Sequence, residues 1–142
     1  MRELRACEAD FAGQEFSKHL KAWDLRNVLF REGLDLAANA ATLAAYTRET
    51  SKAVTQFNVI YVKSQYWGEV TNPANSAFWE EVFHTTQFTK YGYEFYLHYA
   101  DASAEAVIRG GHPYWDNALE VEAQRWANGL ANLYRGNKPC AS

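Results

Sequence analysis

The sequence of 142 residues predicts one helix-rich α+β domain. Apolar residues make up 48% of the chain and charged residues 22%, which is typical of a globular domain with a sizeable core and unlike a disordered chain. Most segments carry apolar residues at the three-to-four spacing of a helix, and one segment is β-branched and aromatic, as strands are. The length leaves room for a single domain, so all of residues 1–142 are assigned to it.

The first half of the chain is predicted to be mainly helical, with helices in residues 1–50. Apolar spacing predicts a helix over 11–30, and the alanine-rich stretch 34–46 predicts a second one with a small-residue face. The period then changes, and 53–63 predicts a short strand or hairpin, with 54–62 as its best part. Glycine, proline and asparagine in 67–75 predict a loop.

The second half is predicted to form three helices. The first spans 76–91 and is stopped by Gly92, and the second spans 93–108 before a Gly-Gly-His-Pro turn. The last follows Asn117 as its N-cap and covers 117–134. The fold class is therefore α+β with a helical majority, and we expect the helix over 76–91 to be central and to pack on the C-terminal helix.

The composition excludes several classes of function. A net charge of −3 without a basic cluster argues against nucleic-acid binding, and no apolar stretch is long enough to span a membrane. Charged residues in the first ten positions are unlike a signal peptide, so we expect a cytoplasmic protein as expressed. Cys7 and Cys140 lack the spacing of thiolate metal ligands, and the sequence favours two free thiols, with a terminal disulfide as the alternative.

One polar row on the helix over 76–91 predicts a site. Glu80, His84, Gln87 and Tyr91 fall near one line at 100° per residue, with aromatic residues on both sides. A polar row between two aromatic rows indicates a helix whose polar side faces a pocket. The alternative is an ordinary Glu–His pair one turn apart on a packed helix.

Four blocks of sequence carry a resemblance to a known family. They read AVTQFNVIYV at 53–62, FWEEVFHTTQF at 78–88, KYGYEFY at 90–96 and YWDNALEVEA at 114–123. In order and spacing they resemble the small, gluzincin-type zincin-like metallopeptidase domains of bacterial toxins and contractile injection systems. The resemblance covers roughly residues 50–125.

The resemblance implies a metal site and the roles of its residues. His84 matches the second His of HExxH, Glu81 the general-base Glu, and Glu120 the third ligand on the following helix. Glu80 stands where the family has its first His, so this chain reads EExxH. Glu80, His84 and Glu120 remain a three-ligand set for zinc, or for iron or manganese given its two carboxylates; the alternative is that no metal binds.

Two residues near the C-terminal helix have competing interpretations. Glu120 also fits a capping box with Asn117 as the N-cap, which would explain it without a site. His112 lies in the loop before this helix. It is either a catalytic group that stabilises an oxyanion or an exposed loop histidine without a function. Nearby tyrosines are alternative donors, namely Tyr91, Tyr93 and Tyr114.

The sequence leaves two functions open. The first is a small metallohydrolase, most simply a peptidase, that acts as a toxin or effector domain and is translocated by a secretion machine. The second is a non-catalytic binding module on the same scaffold, which uses exposed aromatic residues to bind a protein. The expected partners are a peptide or protein substrate, a parent toxin chain or a cognate immunity protein.

Overall fold

The computed structural model describes residues 1–15, Leu25 and residues 27–140, and it confirms a helix-rich α+β fold. The strands are β1 (Arg2–Glu3), β2 (Leu29–Glu32), β3 (Ala53–Gln56) and β4 (Val59–Val62). The helices are α1 (Ala6–Glu15), α2 (Ala40–Tyr46), α3 (Trp67–Val70), α4 (Ser76–Tyr91), α5 (Phe95–Ile108) and α6 (Ala118–Asn137). Single 3₁₀ turns precede α3 and α5.

The four strands form one mixed sheet in the order β1-β2-β4-β3. β2 and β4 are parallel, and the other two pairs are antiparallel. The segment predicted as a strand or hairpin is a hairpin, because Phe57 adopts a left-handed φ of 54° and turns the chain between β3 and β4. β3 therefore lies at one edge of the sheet described here.

The N-terminal half corrects the prediction of helices in residues 1–50. α1 begins before the predicted helix over 11–30 and is described as far as Glu15, and the part over 16–24 lies outside the described residues. Leu29 and Phe30 belong to β2, because its backbone pairs with strands on both sides and the Phe30 ring is fully buried. The predicted helix over 34–46 begins only at Ala40, because Asn39 caps it by accepting a hydrogen bond from the Thr42 amide.

Two predictions in the second half also need adjustment. The loop over 67–75 contains the short helix α3. The last helix continues past Tyr134, through Gly136, to Asn137, and it ends where Lys138 takes a left-handed φ of 46°. The three helices predicted in this half are otherwise found.

The core lies between the sheet, α4 and α6. Phe78 and Trp79 of α4 are fully buried, and the Trp79 indole nitrogen donates to the Pro73 carbonyl at 2.7 Å. α6 turns small residues toward α4, which lets the two helices approach closely. These residues are Ala123, Ala127 and Ala131. The central-helix arrangement is therefore the one expected from the sequence.

Cys7 and Cys140 form a disulfide, which corrects the interpretation of two free thiols. Cys7 lies in the first turn of α1, and Cys140 follows α6. The sequence offered this pairing only as the alternative, because two cysteines 133 residues apart can pair only when the fold brings them together. None of the helices described here is both long and apolar enough to cross a membrane.

Candidate metal centre

Helices α4 and α6 bring Glu80, His84 and Glu120 together, with one ligand atom from each within 4.8 Å of the others. Glu80 and His84 are one turn apart on α4, and Glu120 lies in the first turn of α6, where the small residues allow close approach. His84 Nε2 is 3.2 Å from Glu120 Oε2, and both side chains are buried. Two carboxylates and an imidazole converging in this way form a set of donors that suits a divalent cation.

Gln87 fixes which nitrogen of His84 faces the carboxylates. The Gln87 amide nitrogen donates to the Leu119 carbonyl at 2.9 Å and to Glu122 at 3.3 Å. The amide oxygen must then face His84, and it lies 2.8 Å from Nδ1. Since that oxygen only accepts, Nδ1 carries a proton and Nε2 is the atom presented to the site. A histidine oriented through its second nitrogen is characteristic of metal ligands.

Glu120 is held by the site and does not serve as a helix cap. Its Oε1 accepts a hydrogen bond from the Tyr99 hydroxyl at 2.9 Å, and its Oε2 faces His84. Asn117 caps α6 with its own side chain, and the Asn117 backbone amide donates to the Tyr114 carbonyl rather than to Glu120. The position of Glu120 is thus explained by its contacts in the site.

Glu81 lies beside the three-residue cluster. The Thr55 hydroxyl of β3 donates to Glu81 Oε2 at 2.8 Å. Burial raises the pKa of Glu81, and the charge of Glu120 adds to this effect. Glu81 is therefore a carboxyl group oriented from the sheet and suited to accept and release a proton.

The ionisation of the cluster is dominated by the pair of His84 and Glu120. Burial alone would lower the pKa of His84, but the charge and hydrogen bond of Glu120, followed by the charges of Glu81 and Glu80, raise it to about 10. Burial would raise the pKa of Glu120, but His84 outweighs it and holds the pKa below its usual value. The pair is thus an imidazolium and a carboxylate, and a metal ion bound at Nε2 would have to displace a proton.

Glu80 behaves differently from Glu120. Burial and the charge of Glu81 together raise the pKa of Glu80 to about 7, because the charge of His84 offsets them only in part. Among the described residues, none holds this carboxylate as His84 holds Glu120. A divalent cation would supply the missing positive charge.

Two cavities meet at the cluster. The larger, of about 330 Å³, is lined by Glu81, His84 and Glu120. The smaller, of about 240 Å³, contains Glu80 and Glu81. Glu81 and Tyr114 line both, so a ligand lying across the cluster would contact both residues.

The tyrosines and the histidine considered as donors lie in different places. His112 is exposed, and its Nδ1 accepts hydrogen bonds from the backbone amides of Tyr114 and Trp115 at 3.0 and 3.2 Å. The structure therefore does not bring His112 into either cavity, because its ring is engaged by its own turn. Tyr91 packs against His98, and Tyr93 is exposed, so Tyr114 is the candidate that reaches the cavities.

Sequence reasoning missed three residues that shape the site. Tyr99 binds Glu120, Thr55 binds Glu81, and Arg48 lines the larger cavity. The helical period places Tyr99 on α5 without indicating that it faces α6. Thr55 and Arg48 come from segments far from the site in sequence, and only the tertiary fold brings them near.

The chain was compared with protein-family models, with curated proteins and with solved structures, and none of these comparisons found a significant match. The resemblance to zincin-like domains thus stays a prediction from the sequence. The function has to be argued from the chemistry of the site itself.

Proposed function

We propose that the chain is a zincin-like, divalent-metal-dependent hydrolase domain with an EExxH site. The observation that supports this most directly is the convergence of Glu80, His84 and Glu120 from two helices, with ligand atoms within 4.8 Å of one another, beside Glu81. An ion pair of one histidine and one glutamate that only stabilises a helical bundle needs neither a second carboxylate nor an adjacent cavity. In this proposal these three residues are the ligands and Glu81 is the general base.

The donor set fits several divalent ions. Zinc accepts imidazole nitrogen and carboxylate oxygen, and the two carboxylates also suit iron or manganese. When bound, the ion would polarise a substrate carbonyl and lower the pKa of a water molecule. Glu81 would accept the proton of that water and pass it to the leaving group, and Thr55 would keep the carboxylate in position.

Tyr114 would stabilise the charge that develops on the substrate. Burial and the charges of the nearby Glu120, Glu81 and Glu80 raise its pKa well above the ordinary value, so its hydroxyl stays protonated as a donor. Tyr99 is kept protonated in the same way, but its hydroxyl is already committed to Glu120. Tyr114 is thus the freer donor of the two.

A peptide is the substrate that the surroundings favour. β3 lies at an edge of the described sheet, and Ala53, Val54 and Thr55 of this strand line the larger cavity. An edge strand offers backbone donors and acceptors with which an extended peptide can pair. A role as a toxin or effector, with translocation and an immunity protein, follows from the sequence resemblance and belongs to the same proposal.

A second function is favoured because His84 and Glu120 already have hydrogen-bond partners without a metal ion. His84 is satisfied by Glu120 and Gln87, and Glu120 is satisfied by His84 and Tyr99. Such a network can be purely structural, in a binding module without metal. In that case exposed aromatic residues such as Tyr93 and Trp115 would contact a protein partner.

Metal titration distinguishes the two functions. Protein stripped with chelator is titrated with Zn²⁺, and in parallel with Mn²⁺ and Fe²⁺, by calorimetry and by thermal unfolding. We expect one tight site in the parent and its loss in His84→Ala. His98→Ala is the matched control, because His98 is exposed on α5 and lies outside the cluster.

The outcome of this titration decides between the hydrolase and the binding module. One equivalent of bound metal that requires His84, together with cleavage of an unfolded protein substrate such as casein, would support the hydrolase. The same affinity in His84→Ala and in the parent, or no binding at all, would refute it and leave the binding module.

A further inference from the structure

Arg48 places a positive charge at the wall of the larger cavity. Its guanidinium lies over the ring of Tyr114, 4.5 Å from the ring centre, and both side chains line the cavity. This stacking holds the guanidinium on the face of the Tyr114 ring. The contact with Tyr114 therefore orients the Arg48 guanidinium, although the Arg48 side chain is exposed.

The backbone that carries Arg48 is also fixed. Its carbonyl accepts hydrogen bonds from Lys63 Nζ at 2.8 Å and from the Ser51 amide at 3.1 Å. These bonds tie the segment that follows α2 both to Ser51, shortly before β3, and to Lys63, directly after β4. The guanidinium thus extends from a defined anchor at the entrance to the site.

Among the residues that the structure describes, Arg48, Arg125 and Arg135 form no ion pair with a carboxylate, and of these three only Arg48 lines the larger cavity. Arg31 pairs with Asp35 at 3.2 Å and Arg109 with Glu105 at 2.8 Å. Among residues 1–15, 25 and 27–140, no carboxylate forms an ion pair with Arg48. A guanidinium presents a fork of N–H donors that matches a carboxylate, and here that fork is available to a ligand.

The remaining walls of the cavity are mainly apolar. α2 contributes alanine methyl groups, and α4 and α5 contribute aromatic rings. These residues are Ala41, Ala44, Ala45, Phe88 and Phe95. A ligand that fills the cavity therefore meets these apolar groups as well as the charged groups of Arg48, His84, Glu81 and Glu120.

We propose that the ligand of this cavity is a peptide that carries a carboxylate next to a bulky apolar side chain, and that Arg48 binds this carboxylate. The inference rests on the proposed function, because it assigns the substrate class of the same site. Two cationic side chains line this cavity, and His84 already pairs with Glu120. Arg48 is therefore the cation left for the carboxylate of the ligand, and the bond to be hydrolysed would lie at Glu81.

Binding of three small probes tests this inference without any catalytic turnover. The probes are N-acetyl-alanyl-phenylalanine with a free carboxylate, its carboxamide, and N-acetyl-glutamyl-phenylalanine carboxamide. Chelator is present throughout, so that a metal ion cannot bind the carboxylate. Affinities are measured by NMR titration for the parent, Arg48→Gln and Arg48→Lys, with Arg109→Gln as the matched control, because Arg109 is an exposed arginine that directly follows α5.

We expect the parent and Arg109→Gln to prefer a carboxylate probe over the neutral carboxamide by roughly tenfold, as expected for a charge-assisted hydrogen bond. Arg48→Gln should lose the preference, and Arg48→Lys should keep only part of it. Preference for the first probe would identify a chain-end carboxylate, and preference for the glutamyl probe an acidic side chain.

Three results would overturn the inference: equal binding of charged and neutral probes by the parent, an unchanged preference in Arg48→Gln, or no binding of either acid at millimolar concentration. Metal titration of the same proteins, after the chelator has been removed, separates this failure from failure of the hydrolase proposal. Arg48 is not a ligand, so Arg48→Gln should bind metal as the parent does. Metal bound without carboxylate preference refutes the assignment of Arg48 alone, whereas absence of metal binding in the parent refutes the proposed function.

Discussion

Replacing Glu120 by glutamine tests the centre of the site with the smallest change in shape. Glutamine can still accept the hydrogen bond from Tyr99, so the replacement removes charge and leaves the packing nearly intact. It also leaves the N-cap of α6 unchanged, because Asn117 provides that cap. The variant therefore reports on the interaction with His84.

The burial of the pair determines the expected magnitude. His84 is only 7% exposed and Glu120 only 4%. Removing one partner of a buried ion pair leaves an uncompensated charge and typically costs about 3–5 kcal/mol. In a chain of this length that corresponds to a melting temperature lower by roughly 10–15 °C. The exposed pair of Glu105 and Arg109 is the contrasting case, because exposed pairs on a helix contribute only about 0.3–0.5 kcal/mol.

The pH of the assay follows from the direction of the two pKa shifts. The pKa of folded His84, about 10, is above its ordinary value of 6.5, so its contribution is complete below pH 6.5 and is lost as the pH rises through 10. The pKa of Glu120 is lowered from 4.5, so its contribution is present above pH 4.5 and is lost at more acidic pH. Both contributions are present near pH 6.

Thermal unfolding is therefore measured at pH 6 with chelator, for the parent, Glu120→Gln and Glu105→Gln. We expect a large loss of stability for Glu120→Gln and a change of a degree or two for Glu105→Gln. Zinc added at pH 8 should then stabilise the parent and leave Glu120→Gln nearly unchanged. Melting of Glu120→Gln within two degrees of the parent at pH 6 would refute the buried ion pair, and equal stabilisation of Glu120→Gln and the parent by zinc would refute the role of Glu120 as a ligand.

Three further predictions concern other parts of the molecule. Because burial raises the pKa of Glu80 from 4.5 to about 7, its ionisation weakens the fold as the pH rises through that interval. Glu80→Gln should therefore gain about 1–2 kcal/mol of stability at pH 8 in chelator, while its calorimetric zinc affinity falls. An unchanged melting temperature would contradict the raised pKa. Glu81→Gln should retain metal binding but lower hydrolysis by about 10²–10⁴-fold in a peptide-cleavage assay, and equal turnover would place the general base elsewhere. Replacing Cys7 and Cys140 by serine should cost about 2–4 kcal/mol in denaturant unfolding and should match the reduced parent, whereas equal stability of the oxidised and reduced parent would show that the disulfide does not stabilise the fold.

The long helices and their facing sides could be predicted from the sequence. The spacing of Glu80, His84 and Gln87 placed them on one face of α4, and the position of Glu120 on the small-residue side of α6 placed it toward a neighbouring helix. These inferences succeeded because helical periodicity and burial of a charged group are local signals with strong physical consequences.

Other features depend on contacts that local sequence does not encode. Leu29 and Phe30 of β2 were predicted as helix because a strand of four residues is too short to define its period, and its conformation is decided by pairing with β1 and β4. His112 has the same local signal as a site histidine, but its Nδ1 accepts hydrogen bonds from its own turn. Arg48 and Tyr99 line the site because the fold packs α2 and α5 around it, and no sequence motif predicts that packing.

The bond between Cys7 and Cys140 also has a mechanical consequence. With its ends joined, the chain from 7 to 140 is a closed covalent loop, so a force pulling on the two termini passes through the sulfur atoms and does not load the helices between them. Once the bond is reduced, the same force acts along the polypeptide and can peel the elements off in sequence. A narrow pore could likewise thread the reduced chain as a single strand but would have to admit the oxidised chain as a double one. A reductant would therefore determine both the resistance of this protein to pulling and its ability to be threaded.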